Sequence, residues 1–421
     1  MIDANRTTRR GIVKLGGAAL AAAATGAMSF PAIAQARKLT VISERSNPNT
    51  RAALAQIAAA FEKQTGVNVT INNMDHEAHK TAIRNYLVAS PPDLCFWFSG
   101  NRMRSFVKRG LFEDISDLFA KAKYKESLGI AADAVTVDGK QYGLPLNAIV
   151  WGLFYRKDVF AEHGLTVPKT FDQMKAMGEK AKAAGLVPMA MGTKDLWPAA
   201  GWFDHMNLRI NGLDRHMALM NGEMSYLDPA LTPVFDHWEG LIKSNFFLSN
   251  NTSYSWQQAG AFLVQKKAAM MDLAPFLSGI FPEAERGQIG FAPFPEIVPG
   301  VGPFEDIAYN SIHIPSGSTN KQLAREFLAY LYRPENLAEF LKAESGLAAR
   351  NDIKTAPNPL LDSVRAAIQN IKGSAQYYDR DTDPDMAQIG LNGFQEFMAA
   401  PQRRKQILER LEAARKRIFK A

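Results

Sequence analysis

Short clusters of planar polar and aromatic side chains recur in this sequence, several of them directly after predicted strands. Carboxylate, amide and guanidinium groups hydrogen-bond the polar atoms of a small molecule, and aromatic rings contact its apolar faces. The candidate site residues are Glu44, Asn47, Trp97, Ser99, Asn101, Asp195, Trp197, Trp256, Asp272, Phe276, Tyr309 and Arg350. Each of them alone fits a cap, a turn or an ion pair equally well. Together they are candidates for contact with a small polar molecule.

Two other groups of residues resemble metal motifs but lack a required member. Only one residue separates Glu77 from His79, whereas the zinc-protease helix needs two between its glutamate and second histidine. We therefore predict a polar helix face at His76 and His79, with His79 as a further candidate for ligand contact. The aspartates of 379–385 alternate as in a calcium loop, but Pro384 stands where the tight turn needs glycine. We predict turn and helix-cap roles there, and no metal or other cofactor.

The elements that must position these residues begin as alternating strands and helices. A buried strand at 39–43 precedes a helix at 50–65, and a strand with alternating apolar residues follows at 67–72. A second helix at 76–88 leads to another strand in PPDLCFWFSG. This β-α-β-α-β order predicts an α/β fold with a mostly parallel sheet covered by helices. Ligands of such folds bind at the carboxyl ends of the strands.

The rest of the chain is predicted to be largely helical between 170 and 278 and to return as strands in IGFAPFPEIV and IAYNSIHIP. A helix follows, with an apolar stripe at 323–331. The last 20 residues form a basic amphipathic helix that aligns Ile407, Leu411, Ala414 and Ile418. No internal repeat is apparent.

Length and composition indicate a soluble globular protein of two or three domains. The chain has 421 residues, of which 47% are hydrophobic and 22% charged. Its single cysteine, Cys95, excludes an internal disulfide.

The amino terminus has the layout of a secretory signal peptide, with cleavage expected after Ala36. Its Thr8-Arg9-Arg10 start resembles the twin-arginine export signal, which predicts a periplasmic protein. Residues 1–36 carry four basic residues and one acidic residue, so the net charge falls from +7 to +4 after cleavage. That charge is too small to indicate nucleic-acid binding.

A resemblance to a known family rests on several stretches in the same order. They are GKQYGLPLNAIVWGLFYRKDVF, GAFLVQKKAAMM, IGFAPFP, SIHIPSGSTNKQLAREFLAYLYRPENLAEF, SGLAARND and YYDRDTDPDM. Together the stretches resemble extracellular solute-binding proteins, family 1, which serve ATP-driven sugar importers. The family usually has a tryptophan where this sequence has Phe276.

The resemblance implies the periplasmic-binding-protein type II fold, with two α/β lobes joined by a hinge of crossing strands and a ligand between them. The first lobe would comprise 37–145 and 305–349, and the second 147–302 and 351–421. The crossings would lie near 145–150, 302–306 and 347–352. The apolar run 144–155 would be a core strand of the second lobe whose entrance is the first crossing, although a plain core strand also fits.

The resemblance further implies a monomeric periplasmic receptor, not an enzyme, that delivers a mono- or oligosaccharide to ABC permease subunits. Two alternatives stay open, a secreted glycan-processing enzyme and a binder of another solute class. Arg350 could hold the carboxylate, sulfonate or phosphate of an acidic sugar, or it could pair with Asp352 or Asp306 at the hinge.

Overall fold

The computed structural model describes residues 37–354 and 357–420. The predicted signal peptide, including its cleavage point after Ala36, lies outside the described residues. None of the helices within the described ranges is long and apolar enough to span a membrane.

The secondary structure alternates short strands with helices. The strands are β1 (Lys38–Ser43), β2 (Asn68–Asn73), β3 (Leu94–Phe98), β4 (Thr136–Val137), β5 (Lys140–Gln141), β6 (Leu144–Val150), β7 (Gly152–Arg156), β8 (Val187–Met189), β9 (Ala268–Leu273), β10 (Ile289–Ala292), β11 (Phe304–His313), β12 (Leu347–Ala348) and β13 (Gly373–Ala375). The helices are α1 (Pro48–Thr65), α2 (His76–Ala89), α3 (Asn101–Val107), α4 (Ser116–Ala122), α5 (Tyr124–Leu128), α6 (Lys157–Glu162), α7 (Phe171–Ala183), α8 (Trp197–Met220), α9 (Thr232–Lys243), α10 (Trp256–Val264), α11 (Lys321–Leu331), α12 (Pro334–Glu344), α13 (Pro359–Ile368), α14 (Tyr378–Asp381), α15 (Pro384–Ala399) and α16 (Arg404–Ile418).

The larger sheet has the order β12-β6-β11-β3-β1-β2, and β13 pairs with one end of β11. β1 runs parallel to β2 and β3, as predicted, because helices α1 and α2 return the chain to the same edge. β11 runs antiparallel to both β3 and β6. This sheet is therefore mixed. Its parallel pairs are those of β1 with β2 and β3, which the sequence pattern predicted, and the short pair of β11 with β13.

The smaller sheet has the order β10-β7-β9-β8. β7 is antiparallel to β9 and β10, and β8 is parallel to β9. The mostly parallel pairing expected from sequence thus holds only for strands joined by helical crossovers. Strands such as β7 and β11, which arrive from the other sheet, enter antiparallel.

The apolar run 144–155 is two strands in two different sheets. β6 pairs with β11 and β12 in the larger sheet, and β7 pairs with β9 and β10 in the smaller one. Trp151 lies between them and donates its backbone N–H to the Asp306 carbonyl at 3.1 Å. A Cβ at Gly152 would lie 2.6 Å from the Phe291 ring, so glycine permits this close approach. The expectation of one second-lobe strand therefore differs from the structure, in which the chain changes sheets at Trp151.

Separate apolar cores lie around the two sheets, and a third cluster spans the junction between them. The first packs α1, α2, α11 and α12 against the larger sheet, and the second packs α7, α8, α9, α15 and α16 on the smaller side. The third contains Ile149 and Ile307 of the larger sheet, Phe154 and Met271 of the smaller sheet, and Leu361 of α13. The predicted amphipathic tail is α16, with Ile407, Leu411 and Ala414 buried. The residue boundaries of the two lobes stay a prediction.

Candidate functional site

A cavity of about 560 Å³ is lined by strand residues of the larger sheet and by helices and loops that adjoin both sheets. This volume falls within the range of about 300–1,000 Å³ that is typical of small-molecule sites. The lining residues used below are Glu44, Arg45, Asn47, His76, Lys80, Phe98, Asn147, Trp151, Asp195, Trp197, Asp204, Trp256, Phe276, Asn310, Glu344, Tyr377, Asp379 and Arg380. The cavity thus lies between elements far apart in sequence.

One side of the cavity, here called the aromatic side, consists of Trp151, Trp197, Trp256, Phe276 and Tyr377. The Trp151 ring lies 5.0 Å from the Tyr377 ring and 5.7 Å from the Trp197 ring. Phe276 is 6.4 Å from Trp197 and 5.1 Å from Trp256 in edge-on arrangements. Phe276 therefore preserves an aromatic surface where the family usually has tryptophan. Contiguous rings of this kind can contact the apolar faces of a ligand.

A second group of lining residues, here called the polar side, includes Glu44 and Arg45, which lie directly after β1. Glu44 is 2% exposed and lies 3.8 Å from the Arg45 guanidinium, which also bonds Glu344 at the end of α12. The Arg45 guanidinium packs over the Phe96 ring at 5.3 Å. Burial alone would raise the pKa of Glu44, but its polar neighbours, of which Arg45 contributes most, together outweigh burial and hold the pKa below its ordinary value. Glu44 is therefore an ionised, buried carboxylate.

The polar side continues through two asparagines on neighbouring strands. Asn147 of β6 and Asn310 of β11 are direct partners in the antiparallel ladder, and both are almost fully buried. The register shifts immediately after Asn310, which marks a bulge at this point. An amide inside an otherwise apolar strand is costly to bury without hydrogen bonds, so this pair is positioned for a polar ligand.

Asp204 of α8 also lines the cavity. One of its carboxyl oxygens accepts from the Tyr378 backbone N–H at 2.8 Å, and the side chain is fully buried. Burial raises the pKa of Asp204 well above its ordinary value, and the nearby Asp381 and Asp379 reinforce the shift. Burial therefore favours the protonated form of Asp204, and a protonated carboxyl can donate a hydrogen bond as well as accept one.

Each of the other cations that line the cavity has a partner. Lys80 lies 3.3 Å from Glu77 and 3.9 Å from Asp379. The Arg380 guanidinium packs 4.3 Å from the Phe98 ring centre and 4.8 Å from that of Tyr377, and it donates to the Tyr309 carbonyl at 3.2 Å. These charges position α14 rather than project freely into the cavity.

Half of the predicted site residues line the cavity. They are Glu44, Asn47, Asp195, Trp197, Trp256 and Phe276. Asp195 also accepts from the Trp256 backbone N–H at 3.2 Å, which joins two of the predicted loops. Asn47 accepts from the Asn49 N–H at 2.9 Å and caps α1.

Three predicted residues at the end of β3 do not line the cavity. Trp97 is 1% exposed and packs against His79 and Phe106, because side chains alternate along a strand and its neighbour Phe98 faces the cavity. Ser99 donates to the Tyr309 carbonyl at 2.8 Å. Asn101 bonds the Asp381 carbonyl and so ties α3 to α14.

The other three also lie behind the lining. Asp272 is buried 3.1 Å from His205, and Tyr309 contributes its backbone carbonyl to the contacts described above. Arg350 is 7% exposed, bonds Asp352 at 2.9 and 2.6 Å, and donates to the Tyr332 carbonyl. Of the two interpretations of Arg350, the structure shows the ion pair with Asp352.

The motifs that were set aside also have structural roles. His79 is fully buried and bonds the Phe96 carbonyl at 3.1 Å, whereas His76 lines the cavity. Asp383 accepts from the Asp385 N–H at 2.9 Å and caps α15, which confirms the helix-cap prediction. Within 37–354 and 357–420, no group of histidine, cysteine and acidic residues is arranged to hold a metal ion.

Several lining residues were missed from sequence, namely Asn147, Trp151, Asp204, Asn310, Tyr377 and Arg380. Trp151 had been assigned to the core, and it is 2% exposed but also lines the cavity. The usable signal for Asn147 and Asn310 was a lone amide within an apolar strand. Asp204 lies within a long buried helix and carries no comparable signal.

Comparisons with known proteins place this chain among binding proteins of transporters. Residues 47–338 match the family model for bacterial extracellular solute-binding proteins. The bacterial solute receptor AcbH, described with an exclusive preference for β-D-galactopyranose, is 31% identical, with a TM-score of 0.85 over 91% of this chain and 100% of its own. A chitin oligosaccharide binding protein is 20% identical, with a TM-score of 0.83 over 91% of this chain and 99% of its own.

A curated relative is an ABC transporter extracellular-binding protein of Pyrococcus horikoshii. It is 24% identical over 283 residues, which are 64% of this chain and 61% of the relative. The α-glucoside-binding periplasmic protein AglE of Rhizobium meliloti is 22% identical over 54% of each chain. This chain therefore spans about half to two thirds of these curated relatives.

Proposed function

This chain belongs to the bacterial extracellular solute-binding protein family, and we propose that it is the sugar-binding component of an ABC importer. Its fold is the periplasmic-binding-protein type II fold, as predicted. The observation that carries the proposal is the cavity, whose lining combines a cluster of aromatic rings with carboxylate and amide side chains. A sugar matches this arrangement because its hydroxyls can reach the polar side while its C–H faces contact the rings.

Closure of two lobes about a hinge would enclose the sugar. Hinge closure around a ligand is the established behaviour of periplasmic binding proteins. We assign the first lobe to 37–145 and 305–349 and the second to 147–302 and 351–421, with crossings near 145–150, 302–306 and 347–352. The change of sheet at Trp151 supports the first crossing. A ligand that contacts Glu44 on one side and Trp197 on the other would stabilise the closed state.

We propose a hexopyranose such as β-D-galactopyranose as the first ligand to test, because that is the preference described for AcbH. The closed receptor would deliver the sugar to permease subunits in the inner membrane. We further propose that the protein is exported by the twin-arginine route, is cleaved after Ala36, acts as a periplasmic monomer, and neither alters its ligand nor binds nucleic acid.

The test is thermal unfolding of the mature protein with a panel of neutral mono- and oligosaccharides, followed by calorimetry on those that stabilise it. A sugar at 100 times its dissociation constant should add about 2.7 kcal/mol to the free energy of unfolding. X-ray scattering with the best ligand should report a smaller radius of gyration. Unchanged unfolding with every sugar would contradict the proposal, and cleaved product by chromatography would favour a glycan-processing enzyme.

A further inference from the structure

A short segment beside the cavity, residues 376–382 and here called the strap, is bonded to both sides of the molecule. It contains α14, and it supplies Tyr377, Tyr378, Asp379 and Arg380 to the lining of the cavity. These four residues make up more than half of the strap. The position of the strap therefore sets part of the shape of the cavity.

On the side of the smaller sheet, Tyr378 anchors the strap. Its backbone N–H donates to Asp204 at 2.8 Å, and its hydroxyl lies 2.6 Å from that of Tyr226. Its ring lies 4.9 Å from the Phe394 ring, and a Cβ at Gly390 would lie 2.1 Å from the Tyr378 hydroxyl. Tyr378 is fully buried, so on this side the strap is held as part of the core.

On the side of the larger sheet, the strap lies against the turn between β3 and α3. Asn101 bonds the Asp381 carbonyl. Gly100 has a φ of 71°, in the left-handed region, and a Cβ there would lie 2.5 Å from the side-chain nitrogen of Gln376. Glycine therefore permits the close approach of the strap, and hydrogen bonds from this turn hold it.

Arg102 of α3 makes the charged contact of this turn with the strap. Its guanidinium donates to the Asp379 carbonyl at 2.7 Å and to one Asp379 carboxylate oxygen at 3.1 Å. Burial would raise the pKa of Asp379, but the neighbouring cations, of which Arg102 contributes most, together hold the pKa below its ordinary value. Lys80 lies 3.9 Å from this ionised carboxylate, so among the described residues only Arg102 donates a hydrogen bond to it.

Arg102 itself does not line the cavity, and its side chain is 15% exposed. We propose that Arg102 is a positioning residue for ligand binding, which holds the strap in the arrangement that its lining residues need and does not touch the ligand. A strap that is already ordered costs less to immobilise when a ligand binds, so Arg102 raises the affinity by pre-organisation. The inference rests on the proposed function for its ligand, whereas the holding of the strap depends only on the contacts above.

Arg102→Met removes both hydrogen bonds and keeps much of the length of the side chain. The N–H groups of Tyr378, Arg380, Asp381 and Thr382 are hydrogen-bonded in the native fold, so their hydrogen exchange reports opening of the strap. Without ligand, these amides should exchange about 10-fold faster in the variant. Calorimetry with D-galactose, or with the sugar of the panel that the native protein binds most tightly, should show an affinity about 10-fold weaker.

Arg325→Met is the matched control. Arg325 of α11 is 17% exposed, donates to the Asp114 carbonyl at 2.8 Å and to the Asp117 carboxylate at 3.3 Å, and does not line the cavity. Its loss should leave the exchange of the strap and the affinity unchanged. A second variant, Arg102→Lys, keeps a cation beside Asp379 but cannot bond its carboxylate and carbonyl together, so both of its values should fall between those of the native protein and Arg102→Met.

Thermal unfolding reports whether each variant is folded, and the outcomes separate the two claims. Unchanged exchange of the strap in Arg102→Met, or faster exchange with native affinity, overturns the inference and leaves the proposed sugar-binding function in place. If Arg102→Met does not fold, native values of exchange and affinity for Arg102→Lys overturn it. No heat of binding between the native protein and any sugar counts against the proposed function, and the exchange measurement still decides whether Arg102 holds the strap.

Discussion

The polar and aromatic sides of the cavity are built on different principles. On the polar side, a few buried charges depend on one another across great sequence distance, as when Arg45 joins Glu44 to Glu344. On the aromatic side, partly exposed rings such as Trp197, Trp256 and Phe276 pack edge to face and carry no charge. Loss of one buried charge on the polar side leaves its partners unpaired, so this side suits selectivity. Loss of one ring on the aromatic side removes only its own contacts, so that side suits affinity.

The largest effect should come from Trp151, which belongs to the aromatic side and to the core between the sheets. Trp151→Ala should lower the free energy of unfolding by about 3–5 kcal/mol, because it leaves a large cavity in the junction cluster, and should also weaken sugar binding. Urea denaturation and calorimetry measure the two effects.

Trp238→Ala is the matched control, since Trp238 is fully buried in the core of the smaller sheet and does not line the cavity. It should lower stability comparably while the folded fraction binds sugar normally. Equal losses of affinity in both variants would contradict the place of Trp151 in the binding site.

The next largest effect should come from Arg45 on the polar side. Arg45→Met leaves Glu44 and Glu344 as a buried carboxyl pair without a cation and should lower the free energy of unfolding by about 3 kcal/mol at pH 7. In the native protein, the lowered pKa of Glu44 stabilises the folded state at pH values above 4.5, the ordinary pKa of a glutamate. That contribution is lost as the pH falls through the pKa of Glu44 in the folded state.

Without Arg45, burial would instead raise the pKa of Glu44 and favour its protonated form. The variant should therefore gain stability relative to the native protein as the pH falls from 7 toward 4. Urea denaturation at several pH values measures the difference, and a gap that widens on acidification would contradict the assigned ionisation.

The aromatic side of the cavity could be predicted from sequence better than the polar side. Trp197, Trp256 and Phe276 were predicted from sequence and line the cavity, because aromatic residues in predicted loops can be recognised from their local sequence. Trp97 was also predicted to contact ligand, but side chains alternate along β3, so Phe98 lines the cavity and Trp97 is buried on the other face.

The contacts of the polar side could not be predicted from sequence because they join residues that are far apart in the chain. The bond from Arg45 to Glu344 spans 299 residues, and the pairing of Asn147 with Asn310 depends on an antiparallel register that the sequence pattern does not contain. The α/β alternation of the first 60 described residues was correctly predicted, since helical crossovers are local. The mixed strand directions in the two sheets were not predicted, because the directions of β7 and β11 depend on where the chain passes from one sheet to the other.

A smaller effect should follow from truncation of a single ring on the aromatic side. Trp256 is half-buried at the start of α10 and contacts Phe276. Trp256→Ala should weaken sugar binding by about 1–2 kcal/mol, roughly 10-fold, with little change in stability. Tyr254→Ala, a half-buried ring that does not line the cavity, is the control and should leave the affinity unchanged. Identical affinities for Trp256→Ala and native protein would remove Trp256 from the site.

The smallest effect concerns Asn47, where the polar side meets the end of α1. Asn47 caps α1 through the Asn49 N–H and also lines the cavity, so one side chain has two possible roles. Asn47→Ala should lower the free energy of unfolding by about 1 kcal/mol through loss of the cap, whereas Asn47→Ser should retain it. If both variants bind sugar several-fold more weakly, the amide contacts the ligand directly. If Asn47→Ser binds sugar normally, Asn47 acts only as the cap of α1 and its amide does not contact the ligand.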